Sequence, residues 1–193
     1  RSVVKLEFSR MEEFTGNVAE SRRLSQECRG ASKNEWKVYL EAILLEMRAN
    51  NIDAAIAEAE AALKVHFGTG RLWAIYIRLM RHRGTAAQME VFHRALAKVP
   101  KSGEVWCEGA RICLAPDVAG FDLDNARRYL NFAIQFTPQY GDSFIEFLRL
   151  ELLENGVDCD TSELEQICVN ADPNYGVMWF HCKQNPLDGT RAV

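Results

Sequence analysis

The chain has 193 residues, 48% of them apolar, 26% charged and 10% aromatic, with a formal net charge of −4. Five prolines and twelve glycines are too few for a disordered or collagen-like chain, and this apolar share supports a sizeable core. No run of 18 apolar residues occurs, which excludes a membrane-spanning helix.

Helical spacing organises the chain into pairs. A first helix is predicted over 1–14 and its partner over 17–29, with the turn at Gly16-Asn17. The second pair covers 33–49 and 52–66 about Asn50-Asn51, and the third covers 70–83 and 85–98 about Gly84-Thr85. The fourth covers 103–115 and 122–136. Its link, Ala115-Pro116-Asp117-Val118-Ala119-Gly120, is longer than the others, and Asp122 has the chemistry of an N-cap. The fifth covers 141–154 and 161–171 about Asn155-Gly156, and a last helix over 175–184 opens a sixth pair. No segment reads as a strand.

The pairs form a repeat. Gly-x-x-aromatic recurs as Gly70…Trp73, Gly103…Trp106, Gly141…Phe144 and Gly176…Trp179, with Trp36 as a fifth anchor. Pro100, Pro138 and Pro173 stand three residues before their glycines, where the ring stops the preceding helix. First helices carry apolar stripes, Trp73/Tyr76/Ile77/Met80 and Phe144/Phe147/Leu148/Leu152. Second helices carry small residues, as in Ala62-Leu63, Ala95-Leu96, Ala133-Ile134 and Cys168-Val169, which let backbones approach closely. The expected fold is all-α: an α-solenoid of antiparallel helix pairs. One array would fill 1–193, with repeats near 1–30, 31–67, 68–100, 101–138, 139–173 and 174–193. The opening Arg1-Ser2-Val3-Val4-Lys5 leads into an amphipathic stretch and not into a secretory leader. With no initial Met and a polar tail after His181-Cys182-Lys183, the chain is read as a fragment of a longer protein, and 175–183 is expected to fray or to make a crystal or dimer contact.

The six cysteines, Cys28, Cys107, Cys113, Cys159, Cys168 and Cys182, include no Cys-x-x-Cys pair and are read as reduced and mostly buried. Cys107 and Cys113, six apart on one helix, point to different faces, so no metal site is expected. No phosphate-binding loop, His-Glu-x-x-His or Gly-x-Ser-x-Gly occurs, so neither cofactor nor enzyme activity is expected.

Charge is unevenly spread. Residues 1–63 carry 9 positive and 11 negative side chains, residues 64–111 carry 9 and 3, and residues 112–193 carry 5 and 13. Arg71, Arg78 and Arg81 fall on one face of a helix, and Arg94, Lys98 and Lys101 follow nearby. These six are the candidate partner-binding residues, for an acidic protein segment or for RNA phosphate. Trp36, Trp73, Trp106, Phe144 and Trp179 are read as structural anchors. Arg22-Arg23 and Arg127-Arg128 are expected on the exposed flank of second helices, and Asp158, Asp160, Glu163 and Glu165 are expected to serve a helix start.

The pattern resembles half-a-TPR (HAT) and TPR repeats over essentially the whole chain. Aromatic-x-x-aromatic opens first helices at Trp36/Tyr39, Trp73/Tyr76 and Phe144/Phe147. The HAT glutamate and turn residue follow at Phe8/Glu12/Gly16 and Phe147/Glu151/Asn155. Met80 replaces that glutamate in the Trp73 repeat, Gly109 and Cys113 break the pattern in the Trp106 repeat, and the Trp36 repeat fits with a shifted frame, Ala42/Glu46/Asn50. Tyr140–Leu152 with Ala171–Trp179 is similar to the C-terminal repeats of the Prp6 family of splicing factors. The resemblance implies a non-enzymatic protein-interaction scaffold in a nuclear RNA-processing assembly such as that of pre-mRNA splicing, gripping proteins in an extended groove away from any membrane. Two alternatives stay open: direct RNA binding through residues 71–101, and a TPR adaptor or co-chaperone unrelated to RNA.

Overall fold

The computed structural model describes residues 2–116 and 120–183; Asp117-Val118-Ala119 of the long link and the tail after Lys183 lie outside the described residues. The order is α1 (Ser2–Phe14), α2 (Val18–Ala31), α3 (Trp36–Arg48), α4 (Ile52–Val65), α5 (Gly70–Met80), a 3-10 turn (Arg81–Arg83), α6 (Thr85–Lys98), α7 (Gly103–Cys113), α8 (Leu123–Phe136), α9 (Asp142–Asn155), α10 (Ser162–Ala171) and α11 (Val177–Lys183). Every predicted helix is present, and an isolated backbone bridge joins Tyr140 to Tyr175. The chain forms two compact units, Arg1–Val91 and Phe92–Val193, with the boundary inside α6.

In the first unit α1 packs on α2, α3 on α4, and α4 on α5. Each tight turn inside a pair needs one residue in left-handed backbone; Gly16 (φ 88°), Asn50 (φ 55°) and Gly84 (φ 99°) supply it. The second helices offer small side chains to their neighbours: Ala55, Ala59 and Ala62 on α4 are fully buried, as are Ser21 and Cys28 on α2. First helices bury a stripe at a shared register, seen as Val38/Ala42/Leu45 on α3 and Leu72/Tyr76/Leu79 on α5. The matching residues of α1, Val4, Phe8 and Met11, are exposed. α5 buries nearly its whole circumference, from Leu72 through Ile77.

The recurring glutamates at the ends of the first helices have a structural role. Asn17 Nδ2 donates to Glu12 at 2.9 Å, Asn51 Nδ2 to Glu46 at 3.2 Å and Asn155 Nδ2 to Glu151 at 2.9 Å, tying each helix end to its turn. Glu46 also receives both arms of Arg22, at 2.6 and 2.8 Å, and Glu151 receives Arg127 at 2.6 Å. The shifted frame of the Trp36 repeat is therefore the structural one. Arg22 and Arg127 are half-buried in these bridges, which corrects the expected exposed flank; only Arg23 and Arg128 are exposed. A carboxylate on the following helix draws the first arginine of each couple inward.

These bridges predict acid sensitivity in the first unit. The Arg22 hydrogen bonds hold the Glu46 carboxyl below its ordinary range. Burial pushes the Glu41 carboxyl up, but hydrogen bonds from Arg10 and Arg48 outweigh it and leave it lowered as well. A depressed folded pKa gives stability that is present above the unfolded value, about 4.3 for glutamate, and lost as pH falls through the folded pKa. Urea titrations from pH 6 to pH 3 should show stability of residues 1–91 falling below about pH 4.3, with a shallower fall in Glu46→Gln.

The second unit is built on α7, α8 and α9. Ala110, Cys113 and Leu114 pack with Ala126 and Leu130 and with Phe147 and Leu150. α9 departs from its predicted stripe: Phe144, Phe147 and Leu150 face inward, while Leu148 and Leu152 are exposed. The register is turned because α9 also buries Asp142 and Glu146 against Arg111. Asp122 caps α8 as predicted, accepting the Asn125 N–H at 2.9 Å. α10 has no buried residue. α11 is held at its start, where Gly141 N–H donates to the Tyr175 carbonyl at 2.8 Å and Trp179 N–H to Asp142 at 3.1 Å.

Gly109, which breaks the aromatic pattern, has a physical reason. Phe92 is fully buried, and a β-carbon on residue 109 would come within 2.4 Å of its ring. The ring missing from α7 is replaced by one from α6, set edge-on to Trp106 and tilted against Tyr129.

Half of the cysteines depart from the expected burial. Cys28, Cys107 and Cys113 are buried, Cys159 and Cys168 are half-buried and Cys182 is exposed, because α10 and α11 offer little cover. Burial pushes the Cys107 thiol up to about 12 and the Cys113 thiol up to about 11, so both stay protonated. They join different apolar clusters, as their spacing predicts.

Candidate interaction surface

Two of the aromatic anchors, Trp73 and Trp106, also satisfy backbone carbonyls. Trp73 is buried, and its indole N–H donates to the Phe67 carbonyl at 2.7 Å. Trp106 repeats the device, donating to the Pro100 carbonyl at 2.8 Å. Both carbonyls belong to the residue six positions upstream, so each indole closes the turn that leads into its own helix. Phe144 is buried, and Trp36, Trp106 and Trp179 are half-buried. The Trp179 ring lies directly on Gly141, where a β-carbon would meet it at 2.3 Å.

The six basic candidates divide between the units. In the first, Arg71 and Arg78 are half-buried on the narrow uncovered strip of α5, and Arg81 is exposed in the 3-10 turn. Arg71 stands 5.9 Å from the Trp36 ring centroid, a cation–π arrangement that gives it a packing duty. In the second unit Arg94 and Lys98 are exposed one turn apart on α6, and Lys101 is exposed before α7. Two other cations of the basic stretch are engaged elsewhere: Arg83 pairs with Asp53 at 2.5 Å and Arg111 is buried among carboxylates.

That carboxylate cluster escaped the sequence reading. Arg111 bonds Glu108 at 2.5 Å, Glu146 at 2.7 Å and Asp142 at 3.1 Å. Asp142 is fully buried and also accepts from the Tyr140 hydroxyl at 3.2 Å, whose pKa burial raises well above its ordinary value. The available signal was Arg111 itself, a cation inside an apolar helix face. Among the described residues, no three His, Cys, Asp or Glu side chains are placed to hold a metal, and no helix is long and apolar enough to cross a membrane.

The acidic run divides its work. Asp160 starts α10, accepting the Ser162 N–H at 3.0 Å and its hydroxyl at 2.5 Å, and these bonds lower its carboxyl pKa. Glu163 and Glu165 stand in the first turn of α10 as expected, and Glu163 also faces a groove.

Comparison with known proteins decides the family. The model of the family described as "PRP6, TPR-like domain" matches residues 1–193. The chain belongs to that family. A TPR-containing protein of Dictyostelium discoideum is 61% identical over 159 residues, and pre-mRNA-splicing factor 6 of Saccharomyces cerevisiae is 25% identical over 161. The matches cover 82% and 81% of the chain but only 12% and 17% of these relatives. Among solved structures, a thermophilic TPR protein of Thermus thermophilus aligns with a TM-score of 0.63 at 10% identity, covering 89% of this chain and 90% of that one. The APC/C Cut9–Hcn1 hetero-tetramer aligns with a TM-score of 0.60 at 11% identity, covering 89% of this chain and 32% of that one. These likenesses show the fold: the PRP6 TPR-like chain is an all-helical TPR-like solenoid. In this PRP6 TPR-like chain the departure at Gly109 is a local exchange of rings within that fold.

Proposed function

We propose that this PRP6 TPR-like chain is a non-enzymatic protein-interaction scaffold in a nuclear RNA-processing assembly, that of pre-mRNA splicing. The observation that carries the reading is the family match over the whole chain, supported by likeness to a yeast protein named as a splicing factor. The exposed cations Arg81, Arg94, Lys98 and Lys101 suit an acidic segment of a partner protein.

An epitope-tagged chain expressed in cells should reside in the nucleus and co-purify with spliceosomal ribonucleoprotein proteins after nuclease treatment. Residence outside the nucleus with no such proteins recovered overturns the reading and favours an adaptor of another pathway. A fluorescent single-stranded RNA 20-mer should fail to bind at 50 mM salt. Binding that falls steeply toward 200 mM salt, and is abolished by Arg81→Glu, Lys98→Glu and Lys101→Glu together, would replace the protein partner by RNA.

A further inference from the structure

A groove of about 410 Å³ opens in the second unit between the second helices α8 and α10, over α9. Ile134, Leu164 and Ile167 form its apolar part, and Asp160 and Glu163 stand at its α10 edge. Ile167 is 42% exposed. The first unit has a corresponding place between α2 and α4, over α3, but there the cleft measures only about 40 Å³.

Most lining positions on the first two helices of the two places correspond. Arg22 and Arg127, Gln26 and Asn131, and Glu46 and Glu151 line them in turn, and each couple is 105 positions apart. The Arg22–Glu46 bridge recurs as Arg127–Glu151. One difference decides the outcome. Arg29 in the first unit bridges across the cleft to Glu58 on α4 and closes it. Its counterpart is Ile134. α10 still presents a glutamate to the groove, but Glu163 has no ion pair among the described residues. An apolar surface beside an uncompensated carboxylate fits a cation on an aliphatic stem, with methylenes on the isoleucines and the charged head at Glu163. The surroundings favour such a visitor, since residues 112–193 carry 13 acidic and 5 basic side chains.

We propose that the α8–α10 groove is a docking site for a partner protein segment that carries Arg or Lys beside an apolar residue. The partner supplies from outside the cation that Arg29 supplies from within in the first unit. This goes beyond the family reading and does not depend on which assembly the protein serves.

The test uses the 15N-labelled chain and an acetylated nonapeptide, three repeats of Leu-Arg-Gly, followed by NMR. Amide shifts should concentrate on α8 and α10, and affinity should fall with added salt. Peptides with Glu in place of Arg, or Gly in place of Leu, should bind at least about tenfold more weakly, the scale of one charge-assisted hydrogen bond or one buried side chain. Glu163→Gln should weaken binding by a similar factor with Tm unchanged. Ile134→Arg, which restores the internal cation, should weaken it as much while leaving Tm equal or higher. The proposal is overturned if the Leu-Arg-Gly peptide produces no shifts at millimolar concentration or maps elsewhere. It is also overturned if the Gly-substituted peptide binds equally well, or if both variants bind like the parent.

Discussion

Arg111→Met should destabilise the second unit by about 3–5 kcal/mol, the cost of leaving a buried charge cluster without its partner. Arg111 is the shared cation of Glu108, Asp142 and Glu146, whose side chains are 2%, 0% and 9% exposed. Methionine fills much of the volume, so the loss comes from carboxylates that can neither reach water nor find another donor of equal strength. The Tyr140 hydroxyl and the Trp179 N–H remain on Asp142, and Arg149 reaches Glu146 only at 3.4 Å. Urea unfolding followed by circular dichroism measures the effect. Arg111→Lys should lose less, because it keeps the charge but not the forked geometry. Combining Arg111→Met with Glu108→Gln, Asp142→Asn and Glu146→Gln should recover a large part of the loss. A single-variant loss below about 1 kcal/mol, the size expected of an exposed ion pair, would show that the cluster is solvated.

Trp73→Ala should cost the first unit a comparable amount, about 3–5 kcal/mol, as for other buried large side chains. Trp73 is 4% exposed, and its ring packs beside Tyr76 at 6.5 Å between centroids. Trp73→Phe separates packing from hydrogen bonding. It keeps most of the apolar volume but leaves the Phe67 carbonyl without the indole donor, and should cost about 1–3 kcal/mol. Thermal unfolding of the three proteins gives the ranking. Equal losses for Ala and Phe would assign the whole effect to the N–H.

What could be read from sequence was what repeats. Spacing located each helix because a residue's face follows from 3.6 residues per turn, and the turn markers Gly16, Asn50 and Gly84 adopt the backbone that their types permit. The interior chemistry was less legible. Arg111 looked like one more cation of a basic stretch, because its three acidic partners lie 3, 31 and 35 residues away. Leu148 and Leu152 fitted a helical stripe, yet the need to bury Asp142 and Glu146 turned α9 by part of a turn. The groove beside Ile134 was invisible for another reason. It depends on an absence, the missing counterpart of Arg29, and single residues announce what they bring more readily than what they lack.

The exchange of rings between α6 and α7 bears on how such arrays can be redesigned. Consensus engineering would restore an aromatic at position 109 and expect a gain, but the space is already taken by Phe92. The two sites are therefore epistatic: a large residue at 109 becomes tolerable only after Phe92 is shortened, and shortening Phe92 alone leaves a void. Grafting this repeat onto another scaffold must carry the last turns of α6 with it, which makes the transferable module longer than one period.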